Sequence, residues 1–202
     1  MSTDMWQIEQ ACITEGYRVI CGVDEAGRGP LCGPVTAAAV ILPEGLYIEG
    51  LDDSKKLTEK KRERLFDIIK ENALAYAIAE ASPEEIDDIN ILNASMLAMR
   101  RAVEGLKIKA DFALIDGNCS RGFEIPTETV IKGDSRSYSI AAASILAKVT
   151  RDRGCIELDA MYPEYGIAKH KGYPTKDHMD AVRKYGPSPI HRKSFLKFLD
   201  KE

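Results

Sequence analysis

The 202-residue sequence predicts one α/β domain, a mixed sheet covered by helices with a C-terminal helical appendage. Three observations predict it. Apolar runs of strand length come first in succession and then alternate with helical stretches. No internal repeat or linker composition interrupts them. After Tyr162 the pattern loosens, and Pro163, Pro174, Pro187 and Pro189 punctuate short segments.

A short leader of helical character precedes Tyr17–Asp24, a run of branched and small residues that reads as a buried strand ending at the breaker-rich Ala26-Gly27-Arg28-Gly29-Pro30. Residues 35–42 form a second apolar strand, and the short spacing favours an antiparallel pair. Residues 54–72 place Leu57, Leu65, Ile68 and Ile69 on one side of a charged helix, with Ser54 or Thr58 as N-cap. A third strand follows over 73–81. Ser82-Pro83-Glu84-Glu85 is a helix start, and the helix it opens runs to a terminator at Gly105. Phe112–Asn118 is a fourth strand with Asp116 at its tip, and Glu128–Asp134 repeats that layout. The Ala-rich run 137–153 is a mostly buried helix whose Lys148, Arg151, Asp152 and Arg153 gather at its C-terminal end, where a helix dipole favours cations.

Composition narrows the class. With 45% hydrophobic and 30% charged residues the chain is a folded globular protein, and 15 Gly and 9 Pro are too few for a collagen or a low-complexity linker. No apolar run approaches the ~18 to 20 residues that span a bilayer, and the N-terminus lacks a basic region followed by an apolar stretch, so a cytoplasmic location is expected. Five cysteines, odd in number and scattered, predict neither a disulfide scaffold nor a zinc site. His170, His178 and His191 show no ligand spacing and are assigned to surface or packing. The net charge of −4 hides an asymmetry: residues 169–197 hold eight Lys or Arg against two Asp, a basic segment suited to a polyanion.

Asp24, Glu25, Asp116 and Asp134 sit where the chain changes direction, and the carboxyl ends of strands are where α/β sheets build sites. If these acids converge they repel one another, and hard oxygen ligands without clustered Cys or His favour Mg²⁺ or Mn²⁺. The adjacent Asp24 and Glu25 can both reach a metal only if the strand ends or distorts there. Each acid also has an ordinary reading, Asp134 as a helix cap and Asp116 as a turn residue. Gly27-Arg28-Gly29 lets backbone approach a phosphate or ribose, and equally suits a plain glycine-rich turn. Lys55-Lys56 and Lys60-Lys61-Arg62 read as a solvated face that can touch phosphate. Tyr173, among the cations of residues 169–176, can stack on sugar or base. Ser139 and Ser144 lack the setting of a nucleophilic serine.

The strings GVDEAGRGPLCGPV, LDDSKKLTEKKRERL, LIDGN, KGDSRSYSIAAASILAKVTRDR and YPEYGIAKHKGYPTKDH closely resemble bacterial ribonuclease HII, in order and spacing, from about Tyr17 to Phe195. The resemblance implies an RNase H-like mixed five-stranded sheet flanked by helices, a core over 17–161 and a basic substrate-binding region over 162–202. It implies cleavage of RNA within RNA/DNA hybrids and incision 5′ of single ribonucleotides in duplex DNA, by two Mn²⁺ or Mg²⁺ ions. By motif, Asp24, Glu25, Asp116 and Asp134 are the metal carboxylates, Gly27, Arg28 and Gly29 read the ribose 2′-hydroxyl, Lys55 contacts substrate, and Tyr173, with Tyr165 as alternative, packs on the junction sugar. Cys32 stands where the family often has Ala. Nothing in the sequence demands more than a monomer. A nuclease of the same superfamily acting on DNA alone, or a non-catalytic hybrid-binding module, uses the same residue types.

Overall fold

The computed structural model describes residues 5–52, 54 and 56–201, so the expectation for Lys55 falls outside the described residues. Strand β1 (Ile20–Ala26) lies at the centre of a five-stranded sheet ordered β3-β2-β1-β4-β5. It pairs antiparallel with β2 (Val35–Ile41), which pairs antiparallel with β3 (Ala75–Ala81), and parallel with β4 (Phe112–Asp116), which pairs parallel with β5 (Thr127–Val130). This is the RNase H-like mixed sheet.

A leader helix, α1 (Gln7–Thr14), precedes β1, further helices cover both faces of the sheet, and the alternation along β2 shows how. Ala37 and Ala39 face a cluster built with helix α3 (Pro83–Glu104), while Ala38 and Val40 face one built with α2 (Glu59–Asn72) and α4 (Tyr138–Met161). Small side chains allow close approach, and at Gly22 of β1 the approach is extreme. A Cβ there would stand 2.1 Å from the Ser139 carbonyl carbon, so glycine lets the first turn of α4 settle directly on β1.

Helix starts follow the caps in the sequence. Thr58 Oγ1 accepts from the Lys61 N–H, and Ser82 and Glu85 form a reciprocal capping box ahead of α3. Within α3 the backbone at Asn90 is left-handed, φ 66°, and its Oδ1 accepts from the N–H groups of Leu92 and Asn93, so the predicted continuous helix is kinked and recapped there.

Three expectations are corrected. Strand β1 starts at Ile20 rather than Tyr17 and runs on through Asp24 and Glu25 to Ala26. The fifth strand stops at Val130, and Asp134 sits in a 3₁₀ turn, Gly133–Ser135, after a left-handed Lys132 with φ 55°. Helix α4 continues two turns past Arg153, through Gly154, to Met161, so its charged residues lie mid-helix and the dipole argument does not apply. They act sideways instead: Asp152 accepts from Lys148 Nζ at 2.7 Å and lies 3.8 Å from Arg62, while buried Arg151 donates to the Lys171 carbonyl at 2.8 Å.

After α4 come α5 (Ile167–His170) and α6 (Lys176–Tyr185). They pack through Ile167 and Val182 on Leu31, Cys32, Cys155, Tyr165 and Leu196, which gathers the C-terminal residues beneath the loop joining β1 to β2. Among the described residues no helix is long and apolar enough to cross a membrane.

Candidate active site

In the parallel pairing of β1 and β4, Val23 lies opposite Ile115, so the next residues, Asp24 and Asp116, stand at the same level of neighbouring strands on the same face. Asp134 reaches the same place from the turn before α4, and one oxygen from each of the three carboxylates lies within 4.8 Å of the others. Backbone donors fix two of them. The Glu25 N–H donates to Asp24 Oδ1 and the Gly133 N–H to Asp116 Oδ1, each at 2.7 Å.

The ordinary readings of these acids fail on geometry. Ser137, not Asp134, is the N-cap of α4, its Oγ accepting from the Ile140 N–H. Asp116 spends an oxygen on a residue seventeen positions away rather than on its own turn. Burial pushes the Asp24 carboxyl well above the usual carboxylate range, and the negative charges of Glu25, Asp116 and Asp134 push the same way.

Glu25 stands apart from the trio. The ladder with β2 continues through Asp24↔Ala38, Glu25↔Ala37 and Ala26↔Thr36, so the strand neither ends nor distorts at Asp24 and alternation turns Glu25 to the Val23 side. Its carboxylate lies 3.4 Å from Arg28 Nη1, and its pKa is still raised, by burial first.

Beside the acids is a cleft of about 250 Å³ bordered by Asp24, Glu25, Gly27, Arg28, Gly29 and Tyr173. Gly27 is required by its φ of 97° and by the buried side chain beneath it, since a Cβ would meet Arg151 Nε at 2.6 Å. At Gly29 a Cβ would meet the Tyr173 ring at 3.3 Å. Tyr173 is 44% exposed, whereas Tyr165 is buried and its hydroxyl donates to the Gly186 carbonyl at 2.7 Å, so Tyr173 is the tyrosine that borders the cleft.

The sequence profile of ribonuclease HII matches residues 21–198. A ribonuclease HII of Caldicellulosiruptor bescii is 55% identical over 192 residues, 95% of this chain and 93% of that protein. One from Dechloromonas aromatica is 59% identical over 177 residues, 88% of this chain and 90% of its own length. The crystal structure of ribonuclease H2 from Pyrococcus horikoshii OT3 superposes with a TM-score of 0.74 at 30% identity, covering 91% of this chain and 98% of its own.

The chain belongs to the ribonuclease HII family.

It is therefore a ribonuclease H, an endonuclease of the hydrolase class. In this ribonuclease HII the trio offers a candidate cation oxygen donors alone, crowded and partly desolvated, and the nearby Lys148 ammonium is held by Asp152 rather than by the trio. Like charges so placed fit a hard divalent cation.

Two contributors escaped sequence reasoning. Ser54 Oγ accepts from Ser144 Oγ at 2.6 Å, tying Ser54 to α4 beside the cleft; a single Ser in a polar run carries no signal of this. Arg192, one cation in a basic tail, reads as a surface phosphate contact and is instead wholly buried. Arg62 likewise leaves the solvated face expected of it, donating to the Ser54 and Leu57 carbonyls.

His178 and His191 are packed in the interior with Cys32, whose Sγ lies within 4.8 Å of a nitrogen of each. Their nitrogens are already matched. His178 Nδ1 donates to the Tyr173 carbonyl, His191 Nδ1 accepts from the Ser188 N–H, and His191 Nε2 therefore donates to His178 Nε2 at 3.3 Å. The packing assignment thus describes these two. Burial pushes the Cys32 thiol up to about 12, keeping it protonated.

Proposed function

We infer that this site hydrolyses the RNA strand of RNA/DNA hybrids and incises duplex DNA on the 5′ side of single ribonucleotides, leaving 5′-phosphate and 3′-hydroxyl ends. The observation that carries the reading is the convergence of Asp24, Asp116 and Asp134 from three elements, beside a cleft bordered by Gly27-Arg28-Gly29 and Tyr173.

Asp24, Asp116 and Asp134 are the residues that would hold divalent cations, Mn²⁺ or Mg²⁺, and Glu25, outside that trio but bordering the same cleft, would contribute to a cation from the cleft side only. A pair of such ions supplies an activated water and charge stabilisation for in-line displacement at phosphorus. The residues do the rest. The Glu25 and Gly133 N–H groups hold the Asp24 and Asp116 carboxylates in fixed rotamers, which spares the site reorganisation when a phosphodiester arrives. Gly27 and Gly29 bring backbone to the ribose, Tyr173 packs on the next sugar, and Arg28 sits with Glu25 at the rim. All of these residues come from one chain, so the reading requires no second copy.

The test is cleavage of a labelled duplex containing one ribonucleotide, with and without Mg²⁺ or Mn²⁺, beside an all-DNA control and the Asp24→Asn variant. Metal-dependent incision 5′ of the ribonucleotide by the unaltered protein alone is expected. Cutting of the all-DNA control, or full activity in Asp24→Asn, would sink the assignment.

A further inference from the structure

The loop that borders the cleft is organised by a residue from the far end of the chain. Arg192 is fully buried, and each of its five N–H bonds has its own acceptor. Nε donates to the Gly33 carbonyl at 2.9 Å, Nη1 to those of Arg28 and Pro30 at 3.0 and 2.8 Å, and Nη2 to those of Gly27 and Pro34 at 2.7 and 3.1 Å. Five carbonyls of one eight-residue loop thus converge on one planar cation, whose carbon lies 5.3 Å from the centre of the Phe195 ring.

The consequence follows from peptide geometry. In a planar trans peptide the C=O and N–H point in opposite directions. Turning the Gly27 carbonyl onto Arg192 turns the Arg28 N–H away from it, and turning the Arg28 carbonyl inward does the same to the Gly29 N–H. Among the described residues neither N–H donates to another protein group, and both residues border the cleft. A loop holding the same two glycines without the guanidinium has no reason to choose this orientation, because peptides flanking glycine flip at little cost.

We propose that Arg192 is a positioning residue for substrate selection: by collecting the loop carbonyls it presents the Arg28 and Gly29 N–H groups to the sugar of the junction nucleotide, and so sets the preference for a 2′-hydroxyl. The proposal rests on the reading that Gly27-Arg28-Gly29 contacts that sugar. It differs from a general stabilising role, which would lower activity on every substrate alike. Lysine cannot replace the residue, since its three donors leave at least two carbonyls without a partner and lack the planar fork.

The experiment compares kcat/KM on duplexes whose single junction nucleotide carries a 2′-hydroxyl or a 2′-fluoro group, for the unaltered protein, Arg192→Lys and Asp87→Asn. Asp87 accepts from the Lys193 and Ser194 N–H groups and anchors the same segment, so its variant loosens the anchor while the five bonds from Arg192 to the loop remain available. A fall of about tenfold or more in the hydroxyl-to-fluoro ratio for Arg192→Lys, the size expected for one or two misdirected hydrogen bonds, with the ratio held in Asp87→Asn, supports the proposal. Equal losses on both substrates, ratio unchanged, overturn it. A ratio near one in the unaltered protein instead overturns the reading of the glycine loop, and this proposal with it. Should Arg192→Lys not fold, Arg192→Gln, a planar side chain with two donors, takes its place on the same two duplexes: a fall in the hydroxyl-to-fluoro ratio supports the proposal, and equal losses on both overturn it.

Discussion

The Tyr173 ring lies against Gly29 so closely that a Cβ on the glycine would meet ring carbon Cε1 at 3.3 Å. The φ of Gly29 is not in the left-handed range, so alanine is conformationally permitted there and the ring must give way. Gly29→Ala is expected to cut cleavage of ribonucleotide-containing duplex by roughly tenfold, while thermal stability changes by less than about 1 kcal/mol. Steady-state kinetics and a melting curve on the same preparation check it.

The two tyrosines separate by the same logic. Tyr173→Ala removes an exposed ring at the cleft and should lower activity without unfolding. Tyr165→Phe removes a hydroxyl bonded to the Gly186 carbonyl, and should cost about 1 kcal/mol of stability with cleavage unaffected. Reversal of that pattern would move the sugar contact to Tyr165.

Asp24→Asn should abolish cleavage and raise stability at neutral pH in metal-free buffer. The folded-state pKa of Asp24 is raised, so its contribution is fully present below the unfolded value near 3.8 and is lost as pH rises through the folded one. At pH 7 the ionised, crowded carboxylate is a burden that the amide removes. Melting temperatures of the two proteins should therefore diverge as pH rises from 4 to 7, and a constant offset would contradict this.

His191 gives an opposite slope. Burial, helped by His178, lowers its pKa from 6.5 to about 4. The unfolded chain binds this proton first, so stability is full above pH 6.5 and falls as pH drops towards 4, by at most about 3 kcal/mol. The groups facing it are His178, the Tyr165 ring, Ser188 and the protonated Cys32, none of which offers a negative charge to offset the imidazolium. His191→Gln should flatten the acid limb of the stability profile, as followed by urea titration at several pH values.

Affinity for hybrid duplex should weaken as salt rises, since the C-terminal segment is basic. The slope should be smaller than eight cations imply, because Arg192 is internal and Lys169 is paired with Asp177 at 2.6 Å. Binding isotherms at several salt concentrations measure it.

What the sequence made legible was local or periodic: the five strands, the Ser82 cap, the α2 cap to within Ser54 or Thr58, and the acids at chain reversals. What it hid depended on register and on distance along the chain. The level at which Asp24 meets Asp116 is a property of β1–β4 pairing, and a one-residue slip would have put the two on opposite faces. The same alternation explains Glu25, which its adjacency to Asp24 made an equal candidate. Arg192 is invisible because its five acceptors lie some 160 residues earlier, and a charged side chain near a basic tail gives no hint of burial. Asp134 fell between, its candidacy legible from the motif but its placement on a 3₁₀ turn dependent on the left-handed Lys132.

The bonds from Arg192 to the loop at 27–34 also fix an order of events during biosynthesis. Asp24, Asp116 and Asp134 are all translated before the last third of the chain, and the sheet that aligns them can form on the ribosome. The loop beside them receives its guanidinium only when residue 192 has emerged. A nascent chain therefore gathers its three aspartates before residue 192 can fix the shape of the neighbouring loop, so on the function proposed above the choice between sugars is set later than the centre that would cut.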